Sequence, residues 1–175
     1  MSAPSRPSLP PRVATVASAI FFLLGPGLEA GVGPWLVTGG WKAGDDLPVQ
    51  AFWTVVGIVL VAAGVAVLVQ CFAGFAREGR GTPTPAVPTD RLVVSGAYRH
   101  VRNPMYVATA AVIAGEGLLL ARPVLFAAAA VYVATLAFCG RRWEEPTLRA
   151  RFGPPYDAYR RAVPGWWPRL RPWTG

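Results

Sequence analysis

The longest uncharged stretch of the chain runs from Leu47 to Ala76 and contains 30 residues without an acidic or basic side chain. A helix that crosses the hydrocarbon core of a bilayer needs about 20 predominantly apolar residues. Because lipid offers the backbone no hydrogen-bond partners, a segment that enters a membrane must be helical or belong to a closed barrel. A single stretch of this length and composition predicts an integral membrane protein built from helices.

The overall composition supports this prediction. Hydrophobic residues make up 53% of the 175 residues and charged residues only 15%, whereas soluble domains carry about 25% charged residues. The formal net charge is +8, but the basic residues flank apolar segments instead of forming one face. We therefore expect membrane lipids as partners and no nucleic acid. Cys71 and Cys139 lack a metal-ligand spacing, so we expect no metal and two free thiols.

Four apolar segments are long enough to be considered as spanning helices. They cover residues 13–37, 47–76, 104–121 and 123–140. The first contains Gly25-Pro26-Gly27 and Glu29, which predicts either a kinked span or a shorter helix followed by a re-entrant piece. Only Arg122 and Pro123 separate the last two segments, which predicts a tight antiparallel hairpin.

Positive charge is distributed unevenly around these segments. The 77–104 loop carries five arginines and the segment after Gly140 carries eight, whereas the 36–50 loop has Lys42 as its one basic residue. Basic residues favour cytoplasmic loops, so both termini are predicted in the cytoplasm. The preference for Arg over Lys suggests a GC-rich bacterial genome, and hence a bacterial inner membrane.

The predicted fold is an all-α integral membrane helical bundle with about four transmembrane helices and a cytoplasmic C-terminal helical segment. Residues 1–12 are expected to form a disordered tail, residues 13–76 the first two spans, and residues 77–175 a functional core with two further spans and the tail. In that tail, Leu148 and Phe152 share one helical face, and a second helix after Gly153 carries a further apolar stripe. Three tryptophans are predicted as interfacial anchors: Trp166, Trp167 and Trp173.

Two blocks of the sequence are dense in ionisable groups, and each abuts an apolar segment. The first is Gly96-x-Tyr98-x-x-x-Arg102-Asn103-Pro104-x-Tyr106, and about 40 residues later the second begins Glu144-Glu145-x-x-Leu148 and ends at Tyr156. Ionisable groups placed against membrane helices are costly and usually functional. Together the blocks resemble the isoprenylcysteine carboxyl methyltransferase and phospholipid methyltransferase superfamily, which consists of integral membrane enzymes that use S-adenosylmethionine. The resemblance covers about residues 77–168.

The resemblance implies a cofactor site on the cytoplasmic side, covered by the C-terminal segment. The cofactor-binding residues that it implies are Asp90, Arg91, Leu92, Val93, Tyr98, Asn103, Pro104, Met105, Tyr106 and Glu144. For catalysis we predict Arg102, Arg141 and Glu145. One departure is that the usual histidine of the motif is Asn103 here, and an amide carries no proton at neutral pH. A second is that an arginine seen one turn before the acidic pair falls on Gly140, next to Arg141.

The residue types suit this cofactor. Glu144 can accept hydrogen bonds from an ammonium group or from hydroxyls, and a guanidinium can pair with a carboxylate. Tyr98 and Tyr106 offer aromatic surface to adenine or to a cation. Methyl transfer is an in-line displacement that depends on alignment and desolvation. We therefore predict S-adenosylmethionine-dependent methyl transfer to a lipophilic small molecule or lipid at the cytoplasmic membrane face, with Glu145 or water as base if the acceptor is an amine.

Two other functions are compatible with the sequence. Membrane reductases of the sterol and steroid kind have a related Arg-x-Pro-x-Tyr pattern and use NADPH, although the Glu144-Glu145 block favours the methyltransferase. A non-enzymatic lipid-binding protein would use Arg102 to anchor lipid phosphates and its tyrosines as interfacial aromatics.

Glu116 lies within a span, where facing lipid would cost about 3 kcal/mol, so it is predicted to face the bundle. Arg160-Arg161 is predicted as a lipid-facing charge pair.

Overall fold

The computed structural model describes residues 11–45, 48–74, 77 and 92–175. Over these ranges the secondary structure is helical, without β-strands. The α-helices of the described ranges are α1 (Pro11–Leu24), α2 (Gly33–Thr38), α3 (Gln50–Gly74), α4 (Pro104–Leu119), α5 (Val124–Cys139), α6 (Glu145–Phe152) and α7 (Pro154–Ala162). A π-helical turn (Leu28–Val32) precedes α2, a second (Gly140–Glu144) joins α5 to α6, and a 3-10 turn (Gly96–Arg99) precedes α4.

Two helices are long and apolar enough to cross a membrane. They are α3, with a mean hydropathy of 2.7, and the continuous 29-residue helix Val124–Phe152, with a mean hydropathy of 1.8. Helix α4 is apolar but shorter. Large apolar side chains of α3, such as Val55, Ile58 and Val59, point away from the rest of the chain, as expected for a helix whose outer face meets lipid. The predicted all-α helical membrane bundle is thus confirmed.

Helices α3 and α4 pack closely because glycines remove the side chains at their crossing. A Cβ added to Gly57 would lie 2.8 Å from the Gly115 carbonyl oxygen, and one added to Gly64 would lie 2.8 Å from that of Ala108. As the residue number rises along α3, its neighbours on α4 fall from 115 to 108, so the helices are antiparallel. Small residues that allow backbones to approach are the usual device for helix association within membranes.

The turn between α4 and α5 forms the predicted antiparallel hairpin. Ala121 adopts a positive φ of 48°, and the Arg122 N–H donates to the Gly117 carbonyl over 2.9 Å. The loop before α3 is attached to this turn, since the Arg122 Nε donates to the Lys42 carbonyl over 2.8 Å. Leu125 of α5 is fully buried against Ile113 of α4. The hairpin therefore fixes α5, and the polar segment that follows it, against α4.

The structure differs from the sequence-based boundaries in two places. The first apolar segment continues as helix beyond a turn at Gly25, and the Glu29 N–H donates to the Gly25 carbonyl over 2.9 Å. Helix α5 was predicted to end near residue 140, but it passes through the π-helical turn into α6 without interruption. The predicted tail of residues 1–12 lies outside the described residues, apart from the first two positions of α1.

Helix α7 buries its predicted apolar stripe. Tyr156, Tyr159 and Val163 form one core cluster, and the extended residues Leu92 and Val94 pack against it. Gly153 separates α6 from α7 with a φ of 58°, a left-handed conformation that glycine adopts without a steric penalty. Helix α7 is thereby directed back onto the segment that leads into α4.

Candidate functional site

The C-terminal strap, which we define as residues 164–173, lies along the segment that precedes α4. The predicted motif residues Arg102 and Asn103 both donate their backbone N–H groups to it. The four backbone hydrogen bonds run from Arg102 to Pro164 (2.9 Å), Asn103 to Gly165 (3.2 Å), Arg169 to His100 (2.9 Å) and Trp173 to Arg99 (2.9 Å). The strap therefore covers the first sequence block, as the predicted site requires.

Arg102 joins the two sequence blocks through an ion pair. Its Nη1 donates to the Glu145 Oε1 over 2.8 Å, and its Nε donates to the Val163 carbonyl over 3.0 Å. The other carboxylate oxygen of Glu145 accepts from the Arg160 Nε over 3.0 Å. The side chains of Arg102 and Glu145 are only 15% and 20% exposed, so this ion pair is largely shielded from water.

This network adds one contact that the sequence analysis did not include. Arg160, predicted with Arg161 as a lipid-facing pair, is also bound to Glu145, while its side chain remains 49% exposed. The spacing of the sequence could not show this, since Glu145 lies on α6 and Arg160 on α7 beyond the glycine turn.

A second contact between the two blocks involves Glu144, the residue before Glu145. The Tyr106 hydroxyl, on the first turn of α4, donates to the Glu144 Oε1 over 3.1 Å. The Tyr106 ring stacks on Trp166 of the strap, with centroids 6.1 Å apart and planes 20° from parallel. Glu144 is exposed. The Glu144 carboxylate, the Tyr106 phenol and the Trp166 indole thus lie together where α4 begins and α5 ends. Of the three, the exposed Glu144 carboxylate remains open to a ligand.

Tyr98, another of the predicted cofactor-binding residues, packs against the core. Its ring packs against the cluster that contains Leu68 and Met105, and its carbonyl accepts from the Tyr159 hydroxyl over 2.7 Å. Burial raises the pKa of the Tyr98 and Tyr159 hydroxyls above their ordinary value. Both phenols therefore remain protonated at neutral pH, and Tyr159 can donate to the Tyr98 carbonyl.

The remaining predicted site residues fall into two groups. Val93, Pro104 and Met105 are buried, and Leu92 packs against the α7 cluster, so the described contacts of these four residues are packing contacts. Arg141 is exposed and forms no ion pair or hydrogen bond with the described residues. Asp90 and Arg91 lie outside the described residues.

Asn103 occupies the N-cap position of α4, but its side chain forms no capping hydrogen bond. Its role in the fold comes from its backbone N–H, which holds the strap. A Cβ added to Gly165 would lie 3.2 Å from the Arg102 Nη2 and 3.6 Å from the Asn103 Nδ2. A larger residue at Gly165 would therefore press on the Arg102 guanidinium.

Sequence analysis predicted that the C-terminal segment covers the site, but it missed the contacts that the strap makes there. Trp166, predicted as an interfacial anchor, stacks on Tyr106. Trp173 packs on Tyr159, with ring centroids 5.3 Å apart. Among the three tryptophans, Trp167 is the most exposed, at 82%. The available signal was Pro164-Gly165, because a turn directly after an amphipathic helix can reverse the chain toward it.

Glu116 is turned inward, as predicted. Its Oε2 atom is buried, without a hydrogen-bond partner among the described residues. It lies on the third turn of α4 beyond Tyr106, so it stands apart from the contacts that join the two blocks.

Comparison with known proteins identifies the family. The sequence pattern of the phospholipid methyltransferase family matches residues 52–154, more than half of the chain. The chain therefore belongs to the phospholipid methyltransferase family, and the resemblance inferred from the two blocks is confirmed. The match begins within α3, so it includes the second apolar segment. In the sequence analysis that segment had no family motif and was notable only for being apolar. No curated protein and no solved structure gave a significant match.

Proposed function

We propose that the chain transfers a methyl group from S-adenosylmethionine to a lipophilic small molecule or a lipid at the cytoplasmic face of a bacterial inner membrane. The observation that carries this proposal is the meeting of two distant segments: Tyr106 binds Glu144 and Arg102 binds Glu145. Membership of a methyltransferase family supports the class of reaction. The positive-inside bias of the loops supports the choice of membrane face.

The side chains at this point suit the proposed cofactor. S-adenosylmethionine would supply an electrophilic methyl group on a sulfonium, together with an ammonium, a carboxylate and ribose hydroxyls for recognition. Glu144 offers an exposed carboxylate oxygen to the ammonium or the hydroxyls. Arg141 lies three residues before Glu144 and offers a guanidinium that no described residue engages. The rings of Tyr106 and Trp166 offer aromatic surface to adenine or to the cation.

The same geometry divides the roles of the predicted catalytic residues. Both oxygens of Glu145 accept from guanidinium groups, so we assign Glu145 and Arg102 to positioning the strap over the site. An amine acceptor would then release its proton to water, since the Glu145 carboxylate is engaged. Arg141 remains the candidate for pairing with a carboxylate of the cofactor or the substrate.

Calorimetric titration of the detergent-purified chain with S-adenosylhomocysteine tests the proposal. We expect saturable binding that weakens about tenfold or more in Glu144→Gln, because a hydrogen bond to a charged group contributes about 1.5–3 kcal/mol. Asp45→Asn is the matched control, since Asp45 is an exposed carboxylate in the loop before α3. The affinity of this variant for S-adenosylhomocysteine should equal that of the wild type. No binding by the wild type, or equal affinity in Glu144→Gln, would contradict the proposal.

A parallel thermal-shift measurement separates the proposal from the reductase alternative. S-adenosylhomocysteine should raise the melting temperature of the purified chain, whereas NADPH should leave it unchanged. Stabilisation by NADPH alone would favour a reductase. Stabilisation by neither compound would favour the non-enzymatic lipid-binding protein.

A further inference from the structure

A cavity of about 300 Å³ opens beside α6 and α7, and every residue that lines it is charged. The lining residues are Arg102, Arg149, Asp157, Arg160 and Arg161. Neither Tyr106 nor Glu144 contributes to it, so the cavity is separate from the contacts proposed for the cofactor. Ligand cavities are usually lined mainly by apolar groups with a few polar ones. A cavity lined by charged residues therefore suits a charged occupant and not an apolar one.

The internal ion pairs leave the cavity with excess positive charge. Arg102 and Arg160 share the single carboxylate of Glu145, and the Arg149 Nε lies 3.1 Å from the Asp157 Oδ1. Arg161 is exposed and has no ion pair or hydrogen bond with the described residues. Four guanidinium groups thus face two carboxylates, which leaves two positive charges uncompensated. Guanidinium groups this close together repel one another, and an anion would offset that repulsion.

Phosphate is the anion that matches this geometry and charge. Arginine binds phosphate oxygens through two parallel N–H donors, and a phosphomonoester carries about two negative charges at neutral pH. A carboxylate carries only one and would leave part of the excess uncompensated. The charge balance therefore favours a phosphomonoester over a phosphodiester.

The surroundings of the cavity indicate where that phosphate comes from. The strap that follows α7 exposes two large apolar side chains, Trp167 at 82% and Leu170 at 97%. An exposed tryptophan beside arginines is typical of a segment that lies at the headgroup level of a membrane. At that depth, lipid phosphates are the abundant anions. We propose that the arginine cavity binds the phosphate of an anionic membrane phospholipid, with a preference for a phosphomonoester headgroup.

Titration of the detergent-purified chain with short-chain phosphatidic acid tests this proposal. We expect saturable binding, weaker binding of short-chain phosphatidylglycerol, and about tenfold weaker binding of phosphatidic acid by Arg149→Gln/Arg161→Gln. Arg171→Gln is the matched control, because Arg171 is exposed on the strap and does not line the cavity. If the double variant fails to fold, Arg161→Gln alone serves, since Arg161 has no described ion pair to lose.

Three outcomes would overturn the proposal. One is equal phosphatidic acid affinity in the wild type and Arg161→Gln. Another is binding of glycerol 3-phosphate as tight as that of the lipid, which would identify a soluble phosphate compound as the ligand. The third is a double variant that loses affinity for S-adenosylhomocysteine while its lipid affinity is unchanged, because the cavity would then serve the cofactor. If the wild type binds the lipid but not S-adenosylhomocysteine, this proposal stands and the methyltransferase proposal fails.

Discussion

Two adjacent glutamates take different positions, and their contacts explain why. Glu145 is largely buried and each of its oxygens accepts from an arginine, whereas Glu144 is exposed and accepts from the Tyr106 hydroxyl. Successive residues on a helix point about 100° apart, so one carboxylate faces the α7 side and the other faces α4. Glu145 is thus engaged by arginines within the fold, whereas Glu144 is the carboxylate that we propose for cofactor recognition.

We predict that Glu145→Gln destabilises the fold. Removing one partner of a largely buried ion-pair network leaves Arg102 and Arg160 without their carboxylate, which should cost about 2 kcal/mol at this exposure. For a chain of this length the melting temperature in detergent should fall by about 4–8 °C. Asp45→Asn again serves as the control, and an unchanged melting temperature in Glu145→Gln would show that the network contributes nothing to stability.

At the level of the elements, the crossing of α3 and α4 depends on glycine. We predict that Gly57→Ala destabilises the bundle by about 1–3 kcal/mol, because the added Cβ would press on a backbone carbonyl that cannot move freely. Gly31→Ala provides the comparison, since a Cβ there meets nothing within 4 Å. Thermal unfolding of both variants in detergent should separate them, and equal melting temperatures would refute the close approach.

The boundaries of the elements were predictable where a local signal marks them. Pro104 suits the first turn of a helix, and Gly153 suits a left-handed turn between helices. In the structure α4 begins at Pro104, and α6 ends at Phe152, directly before Gly153. The π-helical turn at Gly140–Glu144 had no such local signal. For that reason the sequence suggested two helices where one continuous helix exists.

At the scale of the whole molecule, the sequence indicated that two distant charged blocks act together. It also implied, through the resemblance, that the C-terminal segment covers the site. It did not indicate how the strap is held, because that depends on backbone hydrogen bonds between residues more than 60 positions apart, such as Arg102 with Pro164. Apart from the turn residues Pro164-Gly165, backbone pairing of this kind leaves no trace in residue type. The family and the meeting of the two blocks were therefore predictable, whereas the backbone hydrogen bonds that hold the covering segment emerged from the structure.

The charge bias of the loops makes a prediction about topology. In a chain whose Cys71 and Cys139 are replaced by Ala, a cysteine at Asp45 should react with an impermeant maleimide in intact cells. A cysteine at Thr174 should react only after permeabilisation if, as we propose, the arginine-rich side faces the cytoplasm. Both positions are exposed. The opposite labelling pattern would place the candidate site outside the cell.

The most direct test of the central claim is transfer of a labelled methyl group. Purified chain is incubated with methyl-labelled S-adenosylmethionine and a membrane lipid extract, and the label in the organic phase is measured and identified by mass spectrometry. The account predicts label in a lipophilic product with the wild type and its loss with Glu144→Gln. An organic phase without label under conditions that keep the wild type folded, or equal labelling by Glu144→Gln, would contradict it.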